Sequence, residues 1–95
     1  GIHVHDVATG QTAALGAGAH PRFSPDGGRL VFDRCADDGD ALTGCSLWMA
    51  DLTGPAPVLR EIRGAHPMAR HPALSPDGTH IAYDADGRIW VGRLE

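Results

Sequence analysis

Histidine is unusually frequent in this chain, with six among 95 residues. Neutral imidazole nitrogens are common ligands for zinc and copper. His3 and His5 are two residues apart, so on a β-strand both side chains would point to the same side and suit joint ligation. This spacing makes His3 and His5 the first candidates for a zinc or copper site, although a structural role is the commoner one for histidines in such numbers.

A second candidate for metal binding is a short acidic loop that contains Asp37, Asp38 and Asp40. Clustered carboxylates can supply oxygen ligands to calcium. The loop lacks the spacing and the closing glutamate of an EF-hand, and Asp-Gly is also a favoured connection in hairpins. We therefore expect these aspartates to form a turn, with calcium binding as the alternative. No cofactor is expected; calcium and zinc are the hypotheses that these residues leave open.

The two cysteines, Cys35 and Cys45, lie at the two ends of an insertion. The stretch 33–48 is nine residues longer than its counterpart 84–90 in the repeat described below. If the flanking segments pair as a hairpin, the two thiols meet at the mouth of the loop. We expect a disulfide there, with two free thiols in a cytosolic protein as the alternative, and no metal site, since the cysteines lack the further ligands of a zinc finger. Such a bond implies an oxidising compartment, which predicts a periplasmic or secreted protein.

Catalytic constellations are not recognisable in the sequence, and we expect no enzymatic activity. The serines at 24 and 75 stand in turn motifs, and Ser46 is not part of a Gly-x-Ser-x-Gly elbow. The net charge is −4 and the eight basic residues form no cluster, which argues against nucleic-acid binding. No apolar run reaches the roughly 18 residues that a membrane span requires.

An internal repeat organises the chain and positions these residues. The octapeptide at 20–27 recurs at 71–78, an offset of 51 residues. The apolar segments that follow it also match, and so do two later segments that each contain a tryptophan. The matching pairs are 28–33 with 79–84 and 47–52 with 89–94, and the last pattern occurs a third time at 2–7, with His3 in the tryptophan position.

Each repeat predicts a β-hairpin followed by further strands. Pro-Asp-Gly is a tight-turn sequence, because proline presets φ, aspartate bonds the backbone ahead and glycine accepts positive φ. We therefore expect positive φ at Gly27 and Gly78. The segments after the turns are apolar on both faces, which is typical of strands between two packed sheets. Both tryptophans, Trp48 and Trp90, are accordingly expected to be buried between sheets, and weaker outer strands are expected near 12–15 and 58–60.

Ser-Pro-Asp-Gly, followed by Leu-Val-Phe-Asp or Ile-Ala-Tyr-Asp and then by Leu-Trp-Met-Ala-Asp-Leu-Thr-Gly, resembles the repeat of TolB-type β-propellers. The resemblance covers nearly the whole chain. It implies an all-β fold of antiparallel four-stranded blades, with about two blades of a larger or oligomer-completed propeller. It also implies that the innermost strands line a central channel, so that His20 and His71, at equivalent positions, could face a shared pocket and bind a ligand.

The predicted organisation is a partial blade at 1–17, a blade at 18–62 and a partial blade at 63–95. Such a chain could be an excised fragment, a unit that assembles into a closed ring, or a small sheet packed on itself. By resemblance to TolB-like envelope proteins, we expect a non-catalytic module for protein–protein interaction or scaffolding. Two alternatives are an accessory propeller segment of a larger hydrolase or peptidase, and a small metal- or ligand-binding β domain. A protein partner is expected, and self-association into a ring is a further hypothesis.

Overall fold

A computed structural model of the chain describes residues 1–94, and that part contains nine β-strands and no helix. The fold is therefore all-β, as the turn-rich sequence predicts. In chain order the strands are β1 (Ile2–His5), β2 (Thr12–Gly16), β3 (Ala19–Phe23), β4 (Arg29–Asp37), β5 (Leu42–Asp51), β6 (Val58–Ile62), β7 (Arg70–Leu74), β8 (His80–Ala85) and β9 (Arg88–Arg93).

The strands form three antiparallel sheets in which neighbours in the chain are also neighbours in space. β1 and β2 make the first sheet, β3 to β6 the second, and β7 to β9 the third. Every connection within a sheet is a hairpin, so the sheets arise from local pairing. The strands at residues 1–94 do not close into a ring. No helix in this part of the chain is long and apolar enough to cross a membrane.

The second sheet is the centre of the molecule because it is covered on both faces. Successive side chains of a strand point to opposite faces of the sheet. In β4 and β5, the side chains on each of the two faces include apolar core residues. One face packs against the first sheet and forms a core, here called the first core, with Ile2, Leu15, Leu30, Phe32 and Ala50. The opposite face packs against the third sheet and forms the second core, with Val31, Leu47, Met49, Ala69, Ile81, Tyr83 and Ala85.

Arg34 ties the first sheet to the second. Its guanidinium donates hydrogen bonds to the carbonyl oxygens of Leu15 and Ala17, at 2.8 and 2.7 Å. The same group lies over the Trp48 ring, 4.2 Å from the centroid, in a cation–π contact. Trp48 is half-buried, and Trp90 keeps 39% of its surface exposed. Neither indole is therefore fully enclosed, and Trp90 is less buried than the sequence predicts. Trp90 points towards the second core, but β9 is the edge strand of the third sheet, so no further strand shields its ring.

The two Ser-Pro-Asp-Gly segments adopt the same turn. In the first, the amide of Gly27 donates to the carbonyl of Ser24 at 2.9 Å, and the Ser24 hydroxyl donates to the Asp26 carboxylate at 2.7 Å. Asp26 also accepts from the amide of Gly28. The Ser24 hydroxyl and the Gly28 amide hold the pKa of Asp26 below its ordinary value. The serine and aspartate of this motif therefore serve the turn.

The second turn repeats this arrangement at Ser75, Asp77 and Gly78. The Ser75 hydroxyl donates to Asp77 at 2.7 Å, and the hydroxyl and amide of Thr79 donate to the same carboxylate oxygen. These donors, with Ser75 first, hold the pKa of Asp77 well below its ordinary value. Gly27 and Gly78 both have φ of +74°, as the turn sequence predicts.

Gly27→Val and Gly78→Val are each expected to destabilise the protein, and by similar amounts, because a β-branched residue is strained at the φ of +74° that the two glycines share. A Cβ at Gly27 would meet open space, and a Cβ at Gly78 would meet the end of the flexible Arg29 side chain, which can move aside. Urea unfolding of both variants measures the losses. An unchanged midpoint for either variant would contradict the turn assignment.

Cys35 and Cys45 are joined by a disulfide and face each other directly across β4 and β5. Their Cα atoms are 4.0 Å apart. The pairing continues past the cysteines to Asp37 and Leu42, so both strands extend further into the insertion than the repeat pattern indicates. The disulfide and the ladder on either side of it hold the insertion as a hairpin, with one register shift between Ala36 and Asp37. A disulfide at this place fits an oxidising compartment.

Replacing both cysteines, in Cys35→Ser/Cys45→Ser, is expected to lower the free energy of unfolding by up to about 3 kcal/mol, because the cross-link restricts the unfolded chain. The fold should persist, since most of the hairpin ladder does not depend on the thiols. Denaturant unfolding of the variant, compared with the oxidised and the reduced parent chain, measures the effect. Coinciding curves for all three samples would show that the disulfide contributes nothing to stability.

A candidate binding site at the histidine pair

His20 and His71, here called the histidine pair, occupy equivalent irregularities in two sheets. The register between β3 and β4 shifts between Ala19 and Arg22, and that between β7 and β8 shifts between Arg70 and Ala73. Each shift inserts one extra residue, as in a β-bulge. His20 has φ of +55° and His71 has φ of +54°. Such φ values are uncommon outside glycine and cost conformational energy.

Hydrogen bonds to carboxylates fix both imidazoles. His20 Nδ1 lies 2.8 Å from Asp33 Oδ2, and His71 Nδ1 lies 2.6 Å from Asp84 Oδ2. Asp33 and Asp84 are themselves equivalent in the repeat. A carboxylate opposite Nδ1 favours the tautomer that carries its proton on Nδ1, which leaves the lone pair on Nε2. Each Nε2 is then available to accept a proton or bind a metal.

Asp33 also connects the second and third sheets. Besides the imidazole of His20, its Oδ2 accepts a hydrogen bond from the backbone amide of His71 at 2.9 Å. Its side chain is 1% exposed, so these partners replace the water that the carboxylate loses. Asp84 accepts from the His71 ring alone in residues 1–94 and is 40% exposed. The two equivalent carboxylates therefore differ in one hydrogen bond and in burial.

This arrangement brings the two imidazoles together although they are 51 residues apart. The ring centroids are 3.9 Å apart and the planes are tilted by 50°. The side chains keep 38% exposure at His20 and 46% at His71, so both remain accessible to solvent. The two Nε2 atoms can therefore receive a ligand from solution, while each Nδ1 stays hydrogen-bonded to its carboxylate.

A hollow of about 280 Å³ adjoins the pair, lined by Ala17, Gly18, Ala19, His20, Asp33, Cys35, Leu42 and Arg70. Arg70 Nε is buried and has no hydrogen-bond partner among the described residues. The polar residues that line the hollow are His20, Asp33 and Arg70.

The other candidate ligands lie elsewhere. His3 and His5 are exposed on β1, and His5 Nδ1 is 2.7 Å from the Thr12 hydroxyl. Asp37 accepts from the amide of Gly39, and Asp38 accepts from the amides of Asp40 and Ala41, at 2.9 and 3.0 Å. The Ala41 and Asp40 amides lower the pKa of Asp38. In residues 1–94, no group of three or more His, Cys, Asp and Glu side chains is placed to hold a metal.

Asp33 and Asp84 are the site residues that sequence reasoning passes over. Both end the apolar segment after the turn and recur at the same offset as the histidines, so the repeat contains the signal that could have identified them. Arg70 carries no such signal, because Ala19 stands at its place in the other repeat.

The fold and the site together define an all-β protein of three antiparallel sheets, with a His–Asp pair repeated in two of them. No protein-family model, curated protein or solved structure matches the chain.

Proposed function

We propose that the chain is a non-catalytic repeat module of the TolB-like propeller type that acts by binding protein. The observation that carries this proposal is an uncovered apolar face on the third sheet, called here the outer face. It consists of Ala82, Ile89 and Val91. Val91 pairs with Ala82, and Ile89 pairs with Asp84, so these side chains share one face. Tyr83 and Ile81 point the opposite way, into the second core.

A comparison with the second sheet supports an interaction role for this face. In the second sheet the equivalent residues are Val31, Leu47 and Met49, and they are buried to 2% exposure or less against the third sheet. On the third sheet, Ile89 is 76% and Val91 68% exposed. The same surface is therefore covered by a β-sheet in one repeat and bare in the next. Large exposed aliphatic side chains that are adjacent on a sheet are typical of an interaction surface.

Asp84 supports the same conclusion. Its counterpart Asp33 accepts a backbone amide from the following sheet, at His71. Asp84 can accept one more hydrogen bond of this kind, and it lies beside the bare outer face. A partner that supplies a β-strand amide at this position would complete the hydrogen bonding that the second sheet already shows.

A further apolar side chain is uncovered on the second sheet, where Phe23 of the edge strand β3 is 61% exposed, whereas its repeat equivalent Leu74 packs against the second core. Phe23 faces the side of the first sheet, whose two strands do not reach over it. The outer face of the third sheet and this side of the second sheet thus both leave apolar side chains uncovered. We propose a second copy of this chain as the partner, because a copy offers a matching apolar face, and a self-complementary patch is the usual basis of a symmetric dimer. The disulfide supports a periplasmic or secreted location.

Sedimentation velocity of the non-reduced chain over a range of concentrations tests this proposal. We expect a discrete oligomer, and a monomer for the variant Ile89→Asp/Val91→Asp, because burying two unpaired carboxylates opposes association. Val7→Asp is the matched control, since Val7 is 89% exposed outside the strands. A dimer would indicate face-to-face pairing, and a larger closed oligomer would indicate the ring. A monomeric parent chain, or an oligomer that the double variant retains, would overturn the proposal.

A further inference from the structure

We propose that the histidine pair is a binding site for a divalent transition-metal cation of the zinc class, held by His20 Nε2 and His71 Nε2 with water as the remaining ligands. This inference does not rest on the proposed interaction function. It concerns His20 on β3 and His71 on β7, and the apolar side chains of the outer face take no part in it. Asp84 is shared by the two proposals, since it orients His71 and lies beside the outer face.

The tautomers are the first reason. A metal-binding histidine characteristically donates a hydrogen bond from its other ring N–H to a carboxylate. This bond orients the ring and raises the basicity of the ligating nitrogen. Both members of the pair have this arrangement, through Asp33 at 2.8 Å and Asp84 at 2.6 Å. Both Nε2 lone pairs are thereby presented away from the carboxylates.

Proximity is the second reason. Two imidazoles with centroids 3.9 Å apart and planes tilted by 50° can share one cation with modest ring adjustment. The local charge also favours a cation, because the carboxylates of Asp33 and Asp84 outnumber the single guanidinium of Arg70. A site with two protein ligands and open positions takes borderline-soft ions such as zinc or copper in preference to calcium, since imidazole suits the former.

Backbone geometry is the third reason. Among residues other than glycine in the described part of the chain, positive φ occurs at His20, His71 and Asp86. Asp86 precedes Gly87 in the β8–β9 hairpin, where such values are the rule for an Asp-Gly turn. The two histidines have no hairpin turn to explain theirs. Their bulged, positive-φ backbone directs both rings to the same place, and such strained positions concentrate at ligand sites.

Zinc titration of the metal-free chain, followed by calorimetry and by nitrogen NMR of the imidazoles, tests the proposal. We expect one zinc ion per chain, with the NMR change at Nε2 of His20 and His71. His20→Asn and His71→Asn should each weaken binding at least tenfold. Asparagine is chosen because it tolerates positive φ and can still bond the neighbouring carboxylate. The variant His3→Asn/His5→Asn is the control and should bind as the parent chain does.

Asp84→Asn tests the positioning role of the carboxylate. Loss of such an outer partner typically weakens metal binding by about 10–100-fold, while circular dichroism and the unfolding midpoint should stay close to those of the parent chain because Asp84 is part-exposed. The proposal is overturned if zinc binding depends on His3 and His5, if it survives both His20→Asn and His71→Asn, or if no imidazole signal of the pair moves at saturating zinc.

Discussion

Phe32→Ala is expected to lower the free energy of unfolding by about 3–5 kcal/mol, the usual loss when a fully buried phenylalanine is truncated. Phe32 has no exposed surface and lies between the first and second sheets. The backbone of Gly18 packs directly on its ring, so close that a Cβ there would lie 2.7 Å from Phe32 Cδ2. Gly18 has no side chain that could refill the space that the ring leaves, so most of the cavity should remain.

Phe23→Ala is the matched control, because Phe23 is 61% exposed in the neighbouring strand. In dilute solution it should cost less than about 1 kcal/mol, as surface substitutions do. Urea unfolding followed by circular dichroism measures both variants. Similar losses for the two phenylalanines would contradict the packing of the first sheet over the second.

Asp33→Ala is expected to cost about 3 kcal/mol, because it leaves the His71 amide and the His20 ring without their acceptor. A buried donor that loses its partner costs about 1–3 kcal/mol, and two donors are affected here. The loss should also loosen the contact between the second and third sheets, since the His71 amide is bonded across it.

The equivalent substitution Asp84→Ala supplies the control for Asp33→Ala. Asp84 is 40% exposed and accepts from one imidazole, so its removal should cost less than about 1 kcal/mol. Denaturant midpoints of the two variants give the comparison. A loss at Asp84→Ala as large as that at Asp33→Ala would show that the inter-sheet hydrogen bond contributes little.

Much of the strand pattern is predictable from the sequence for local reasons. Pro25, Asp26 and Gly27 specify a turn through φ preferences and short-range hydrogen bonds, and the same holds for the second turn. Each sheet is then built from hairpins between strands that are adjacent in the chain. Local chemistry therefore suffices to predict where the strands lie, the positive φ at Gly27 and Gly78, and the all-β class.

Features that depend on contacts between sheets are harder to predict from the sequence. The exposure of Trp90 depends on how far the second sheet extends over β9, the edge strand of the third sheet. The second hydrogen bond of Asp33 comes from the His71 amide, 38 residues away. The repeat predicts that the two histidines are equivalent, but their 3.9 Å separation depends on how two sheets pack and on a bulge in each. Propensities and spacing do not encode these quantities.

Hydrogen–deuterium exchange of the non-reduced chain, in dilute and in concentrated solution, tests the central claim that the outer face of the third sheet binds protein. We predict that amides of β8 and β9 around Ala82, Ile89 and Val91 exchange more slowly at high concentration, while amides of the β1–β2 turn do not change. Exchange rates of β8 and β9 that are independent of concentration would contradict the account.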